Sequence, residues 1–336
     1  MSGSTHPTVA LITCLHYPGD RLADTIARLG ETAAYVSEII VVLDGVTVRE
    51  RQTVTWWASL LPNVHLIAPA APLGVARARN LALTAVTSTH VWFVDDDDHW
   101  VPDAPHILAD SLAQGYDVIA FRARYRDHPG SEGRIVDGLD QSRTITGADA
   151  RRMLLGGQLH GFLWSKIFSR RVLGEDPFPD LSSQSDVVGV ARALARSRRV
   201  RLRPEELYTY INRPGSITRH SAQRLANLHR ASELVIHALA DDADADHIAE
   251  FRAWFLCAGT VRTVARQRMR MRDALPALRE ARHAARSLGR GAASDLGDRL
   301  ALELAALRIS PRLAVALGRV AYRTLDARRA LRRATS

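Results

Sequence analysis

Four consecutive aspartates, Asp95 to Asp98, directly follow an apolar segment that reads Val91-Trp92-Phe93-Val94. An unbroken apolar run bounded by polar residues predicts a fully buried strand. Four like charges repel one another, so we expect a bound cation to compensate them. Carboxylate oxygens suit Mg²⁺ or Mn²⁺, and Mg²⁺ held by one or two carboxylates usually also binds substrate phosphates. The residues therefore predict a metal–diphosphate site at the carboxyl end of a strand, where open α/β sheets bind their ligands.

Strand and helix patterns alternate over the first 125 residues. The predicted strands are Val9–Cys14, Glu38–Leu43, Val64–Ala68, His90–Val94 and Val118–Tyr125. The predicted helices are Arg21–Leu29, Arg49–Leu61, Gly74–Ala85 and Ala104–Gln114. This alternation favours βαβ units and a mostly parallel sheet. We also predict a polar loop over Asp127–Arg143 and a return to the sheet over Arg199–Ile211.

The charge of the 336-residue chain is unevenly distributed. Residues 1–220 carry 24 Lys and Arg against 24 Asp and Glu, whereas residues 221–336 carry 21 against 12 and hence the whole net charge of +9. Past residue 220 the pattern changes to long helices rich in Ala, Leu and Arg. We therefore predict an α/β domain over residues 1–220 and a basic, all-α region over residues 221–336.

The sequence has no run of 18 apolar residues and a polar start, so we expect neither a membrane span nor a secretory signal. Cys14 and Cys257 stand in apolar context, which favours buried free thiols in a reducing compartment. These features predict a cytoplasmic protein, at most peripheral to the inner face of the membrane.

The end of the chain predicts an amphipathic helix. Ser310-Pro311 favours a helix start, and Leu313, Leu317 and Val320 follow at helical spacing among arginines. A basic amphipathic helix can lie on an anionic membrane surface. The alternatives are a helix packed on its neighbours with solvated arginines, a lid over the acceptor, or the interface of a homo-oligomer.

Several short motifs stand in an order that resembles family-2 glycosyltransferases of the GT-A fold, over roughly residues 8–220. The motifs are Leu43-Asp44-Gly45, Gly74 to Asn80, Phe93 to Asp98, Trp164-Ser165-Lys166, Ser185-Asp186 and Tyr208 to Arg213. The resemblance implies transfer of a sugar from a nucleotide-diphosphate sugar, with UDP-sugars favoured, to an acceptor hydroxyl. The acceptor could be a glycan, a lipid-linked molecule or a small molecule. The resemblance also implies Mn²⁺ or Mg²⁺ and inversion at the anomeric carbon.

On the donor side, the resemblance implies that Asp44 reads the nucleotide base. Arg77, Arg79 and Asn80 match a stretch that binds the nucleotide sugar, although Asn80 could simply pin a loop. Arginine forks suit phosphate and nucleobase contacts.

At the acidic turn, the resemblance assigns Asp95 to the ribose and Asp97 to the metal, with Asp95 as a second metal ligand. Asp96 also belongs to the expected nucleotide-sugar site, and Asp96 and Asp98 could share or exchange these roles.

The resemblance implies that Asp186 is the general base, with Asp180 as the competing candidate and a helix N-cap as the structural alternative. Lys166, the only lysine of the chain, matches a position near the donor or acceptor pocket. His160 and Trp164 are further candidates for acceptor or phosphate contacts.

The segment after the last predicted strand matches a phosphate-facing loop. Arg213 is expected to bind the nucleotide sugar, and Ser216, Arg219 and His220 to contact acceptor or phosphate. A nucleotidyltransferase is a weaker alternative, because the stretch Leu15 to Asp20 is a poor phosphate cradle. A non-catalytic nucleic-acid-binding protein with a basic tail is weaker still, because no nucleic-acid module is recognisable; no nucleic-acid partner is expected.

Overall fold

The computed structural model describes residues 6–126, 128, 130–137, 140–212, 221–240, 244–288 and 297–334. The chain divides into two compact units, one of residues 1–154 and 159–216 and the other of residues 155–158 and 217–336. The predicted domain boundary after residue 220 lies close to this division and stays a prediction.

The first unit is built on one mixed sheet. Its strands are β1 (Val9–Leu15), β2 (Glu38–Leu43), β3 (Val64–Ile67), β4 (His90–Phe93), β5 (His99–Trp100), β6 (Val118–Arg126), β7 (Arg134–Val136), β8 (Arg143–Thr146), β9 (Lys166–Ser169) and β10 (Arg199–Ile211). The order is β3-β2-β1-β4-β9-β6-β10-β5, with β7 on β6 and β8 on β10. Among the described strands, β5, β7, β8 and β9 run antiparallel to their neighbours, and the other six run in one common direction. The carboxyl ends of β1, β2, β4, β6 and β10 therefore meet at one edge.

The helices that flank this sheet are α1 (Leu22–Thr32), α2 (Val48–Ala58), α3 (Val75–Thr84), α4 (Ala104–Ile107), α5 (Ala109–Ala113), α6 (Gly147–Leu155), α7 (Arg170–Leu173) and α8 (Ser185–Ala195). The start of α2 is fixed by a capping box, in which Thr47 and Glu50 exchange hydrogen bonds between side chain and backbone. α3 packs against β1 and β2, α2 against β3, and α7 against β9.

Two predictions on these elements were wrong in part. The predicted helix Ala104–Gln114 is interrupted at Leu108, where α4 ends and α5 begins. The predicted loop Asp127–Arg143 contains β7 and ends on the first residue of β8. β7 pairs with the end of β6, the preceding strand, whereas β8 pairs with the distant β10, which local patterns do not show.

The buried strand predicted before the aspartates is confirmed. Val91, Trp92, Phe93 and Val94 are each at most 2% exposed. Trp92 also donates from Nε1 to the carbonyl of Trp164 at 3.1 Å, so its one polar group is satisfied. The four aspartates therefore follow directly after a fully buried segment.

The second unit is helical, as predicted. Its helices are α9 (Ser221–Leu239), α10 (Ala245–Phe251), a π-helical segment (Arg252–Ala258), α11 (Gly259–Arg266), α12 (Met271–Ser287), α13 (Asp298–Ile309) and α14 (Pro311–Ala334). Asp244 caps α10 by accepting from the backbone N–H of His247 at 2.9 Å. Cys257 is a buried free thiol, whereas the free thiol Cys14 belongs to a half-buried residue. Among the described helices, none is long and apolar enough to cross a membrane.

Candidate active site

The acidic turn after β4 lies at the edge where the parallel strands end. Asp98 faces inward: it is 1% exposed and accepts from the Tyr208 hydroxyl at 2.8 Å and from the Ile211 backbone N–H at 2.9 Å. Asp98 therefore ties the turn to β10, and its burial argues against the shared ligand role considered from the sequence. Asp95, Asp96 and Asp97 are only half-buried.

Arg79 joins this turn to a carboxylate from α8. Its Nη2 donates to Asp95 Oδ1 at 2.6 Å, and its Nη1 donates to Asp186 Oδ1 at 2.6 Å. Arg79 is 5% exposed, while the side chains of Asp95 and Asp186 remain 28% and 30% exposed. Two accessible carboxylates from distant parts of the chain thus flank one buried guanidinium.

The phase of α3 explains why Arg79, and not Arg77, occupies this position. Gly74 precedes the helix with φ of +82°, which favours glycine. The buried face of the helix then consists of Ala76, Ala78, Arg79, Ala82 and Leu83. Arg77 lies on the other face, 61% exposed, and pairs with the equally exposed Asp180. The structure therefore brings only one of the two predicted arginines to the acidic turn.

Asp44 and Asn80 hold backbone in place beside α3. The buried Asp44 carboxylate accepts from the backbone N–H groups of Leu73 at 2.5 Å and Gly74 at 3.0 Å. Its side chain is 0% exposed, so the Asp44 carboxylate is not accessible to the nucleotide base that it was predicted to bind. Asn80 donates to the Phe178 carbonyl at 2.8 Å and accepts from the Phe178 N–H at 3.2 Å, which is the loop-pinning alternative.

Burial and mutual repulsion raise the pKa values of Asp95, Asp96 and Asp98. Burial, followed by the charge of Asp97, raises the pKa of Asp96 to about 7. Burial also raises the pKa of Asp95, and of Asp98 well above its usual range, with Asp97 adding to both effects. The ionised turn is therefore costly unless a cation offsets it.

A divalent cation fits the chemistry of Asp95 and Asp97. The described residues make no hydrogen bond to the Asp97 carboxylate, and they bring together no group of three or more metal-ligating side chains. Mg²⁺ commonly uses one or two carboxylates and completes its shell with water and substrate phosphates. These two carboxylates therefore suit a cation that binds together with a diphosphate.

Lys166 is fully buried and does not reach an accessible surface. Its Nζ donates to Asp137 Oδ2 at 2.6 Å, to the Phe162 carbonyl at 3.0 Å and to Ser165 Oγ at 3.0 Å. All three donors of the ammonium are thus satisfied within the protein. The burial of Lys166 argues against the direct ligand contact predicted from the sequence.

Asp137, which was not predicted from the sequence, accepts several hydrogen bonds from the segment before β9. It accepts from the N–H and Nδ1 of His160 at 2.6 and 3.0 Å, and from the Ser165 hydroxyl. Burial alone would raise its pKa, but Lys166 and then His160 hold the pKa of the Asp137 carboxyl well below its usual range. The one signal in the sequence was the single lysine, which needs a counter-charge when buried.

His160 is held beside the end of α8 that carries Asp186. A Cβ on Gly161 would lie 2.7 Å from Val187 Cα, so only glycine allows this approach. The His160 side chain stays 31% exposed and stacks on Phe162 with ring centroids 5.4 Å apart. The imidazole is therefore fixed by its Nδ1 and one ring face, while part of it stays accessible.

Trp164 belongs to the interior rather than to an accessible surface. It is 3% exposed and stacks on Tyr208 with centroids 4.9 Å apart and planes 9° apart. The Tyr208 hydroxyl in turn accepts from the Asp95 backbone N–H at 3.1 Å. Trp164 thus supports the acidic turn through Tyr208, and its burial argues against the predicted acceptor contact.

Asp186 lies in the first turn of α8 and does not cap it, because the residue before the helix is Gln184, without a capping hydrogen bond. The predicted N-cap alternative is therefore wrong. Arg213, Ser216, Arg219 and His220 lie outside the described residues, so their predicted contacts stay predictions.

Comparison with known proteins agrees with this arrangement. Residues 9–174 match the family described as Glycosyl transferase family 2. The fold is similar to S. aureus TarS 1-349, with 17% identity over 94% of this chain and 91% of that chain and a TM-score of 0.68. The TarS 1-349 complex with UDP-GlcNAc matches over 94% and 92% at 17% identity, with a TM-score of 0.71. The predicted GT-A fold is confirmed; no curated protein matches the sequence.

Proposed function

We propose that this chain, a family-2 glycosyltransferase through its residues 9–174, transfers a sugar from a UDP-sugar to an acceptor hydroxyl with inversion of configuration. The observation that carries the proposal is the Asp95–Arg79–Asp186 bridge, with both distances 2.6 Å. The Arg79 guanidinium holds the candidate general base, Asp186, on one side and the candidate donor ligand, Asp95, on the other. The UDP-GlcNAc and UDP complexes of the structurally similar TarS support the choice of nucleotide.

Asp186 is the proposed general base. It is part-exposed at the start of α8, and one of its oxygens is occupied by Arg79, which leaves the other for the acceptor hydroxyl. A base that removes the proton as the oxygen attacks the anomeric carbon accelerates the reaction by about 10²–10⁴-fold. Direct attack by the acceptor on the carbon that loses the diphosphate inverts that centre.

Asp95 and Asp97 are proposed to hold Mn²⁺ or Mg²⁺ together with the diphosphate. When bound, the cation would neutralise charge on the departing diphosphate. Arg79 positions the Asp95 carboxylate through a hydrogen bond from Nη2. Asp98 holds the turn in place by accepting a hydrogen bond from the Tyr208 hydroxyl. The buried Arg79 also supplies a positive charge next to the turn.

His160 is the proposed acceptor-side contact. Its Nδ1 faces the ionised Asp137, so the tautomer with a proton on Nδ1 is favoured and Nε2 can accept a hydrogen bond from a hydroxyl. Glycans, lipid-linked molecules and small molecules all offer such hydroxyls, so the class of acceptor stays open. The predicted cytoplasmic location and a homo-oligomer also stay predictions.

The family match outweighs the nucleotidyltransferase and nucleic-acid-binding alternatives. A turnover assay tests the proposal: UDP release from a panel of UDP-sugars with Mn²⁺, with water or added glycosides as acceptors. We expect Asp186→Asn to lower kcat by at least about 100-fold with little change in the KM of the donor. Asp180→Asn is the matched control, because it removes a carboxylate that only pairs with the exposed Arg77. Equal turnover by wild type and Asp186→Asn would contradict the assignment of the base.

A further inference from the structure

The last helix of the chain packs through the face opposite to its leucines. Ala314 and Val315 are 2% and 1% exposed, and a Cβ on Gly318 would lie 3.0 Å from the Cβ of Ala265 on α11. Small residues thus let α14 approach α11 closely. Arg319 adds a hydrogen bond from Nη2 to the Met269 carbonyl at 2.7 Å.

The larger apolar side chains of this helix point away from the protein. Leu313, Leu317 and Val320, here called the apolar row, are 40%, 43% and 61% exposed. They recur at spacings of four and three residues within α14 and so share one face. A helix that only packed on its own unit would bury these side chains, so the sequence-based alternative of a packed helix does not account for them.

Positive charge lies beside the apolar row. Arg312 and Arg323 are exposed in the same helix, and the segment Pro311–Ala334 contains seven arginines against the single acid Asp326. The whole net charge of +9 lies in residues 221–336. An occupant of this face must therefore offer both an apolar phase and negative charge.

We propose that the apolar row of α14 inserts into the interface of an anionic lipid bilayer, with Arg312 and Arg323 contacting lipid phosphates. A helix with leucines on one face and arginines beside them is the pattern of an interfacial helix. Nucleic acid would satisfy the arginines but leave the apolar row in water. A second copy of this basic unit would satisfy the apolar row but bring like charges together. The inference is independent of the proposed transferase mechanism.

Cosedimentation of the full chain with vesicles tests the proposal, with phosphatidylcholine alone compared with phosphatidylcholine plus phosphatidylglycerol. We expect binding to the anionic vesicles only, weakened by added salt. Leu317→Glu should lower the partition coefficient by at least about tenfold, because it replaces inserted apolar surface with a charge. The double variant Arg312→Gln/Arg323→Gln should lower it by at least about fivefold.

Two matched controls separate insertion from general effects. Leu60→Glu places the same charge at a 60% exposed leucine of the first unit, and Arg49→Gln/Arg51→Gln removes two exposed arginines there. Both should bind like the wild type. Absence of binding to anionic vesicles would overturn the proposal, as would equal binding by Leu317→Glu. A dimer that Leu317→Glu dissociates, without vesicle binding, would assign the row to a second copy instead.

Discussion

Arg79 and Asp186 form an ion pair of 2.6 Å between α3 and α8, and the same guanidinium holds Asp95 from the turn after β4. Removal of Arg79 would leave two carboxylates facing each other in a partly buried site. We expect Arg79→Met to cost about 3–5 kcal/mol of unfolding free energy, as for a broken buried pair. Urea unfolding of the purified protein measures this cost.

Arg77→Met is the control, two positions away in the same helix. Because Arg77 and Asp180 are both more than half exposed, their pair is worth about 0–1 kcal/mol. If the two variants lose equal stability, the bridge does not hold the three elements together as described.

The pair of Asp137 and Lys166 predicts a strong coupling. Both side chains are 0% exposed, so Asp137→Asn alone leaves a buried ammonium without its counter-charge and should cost about 3–5 kcal/mol. The double variant Asp137→Asn/Lys166→Met removes both charges and should be less destabilised than the sum of the two single variants. A double-mutant cycle by urea unfolding measures the coupling, and additive losses would show that the pair contributes nothing specific.

The raised pKa of Asp96 predicts a pH dependence of stability. Its pKa is about 7 in the folded protein against 3.8 for the free group, so the folded state binds the extra proton between these values. Stability from this group is therefore present at low pH and is lost as the pH rises through about 7. We measure the unfolding free energy in EDTA at about pH 5 and about pH 8. Between these values, we expect the unfolding free energy of Asp96→Asn to fall by about 1–2 kcal/mol less than that of the wild type.

The comparison uses the difference between the two proteins, because the 13 histidines titrate in both. A wild type and an Asp96→Asn variant with parallel pH profiles would mean that Asp96 is already compensated without a cation.

Much of the parallel half of the fold could be predicted from the sequence, because its signals are local. Apolar runs mark β1, β2 and β4, and Gly74 marks the start of α3. The short antiparallel strands were missed, because β8 and β9 are defined by partners far away in the chain, and β7 is a three-residue strand that pairs with β6. Local patterns carry no information on such pairing.

The sequence predicted which residues lie at the candidate site more reliably than it predicted what each of them does there. The Asp-rich turn and Asp186 were singled out, and the structure joins them through Arg79. Whether Asp44 or Lys166 faces a ligand depends on burial, which spacing alone does not reveal. The buried face of α3 could have favoured Arg79 over Arg77, since Ala76, Arg79 and Leu83 share one helical face.

Asp95 and Asp97 are proposed to bind a nucleotide diphosphate through a divalent cation. Thermal stability with UDP, GDP or dTDP, each with and without Mn²⁺, tests this proposal on wild type, Asp97→Asn and the control Asp176→Asn, whose carboxylate lies exposed before α8. A ligand at about 100 times its Kd stabilises the folded form by about 2.7 kcal/mol. We predict a Mn²⁺-dependent shift with UDP that Asp176→Asn keeps and Asp97→Asn loses. A folded wild type that shows no shift with any nucleotide, or an equal shift in Asp97→Asn, would contradict the account.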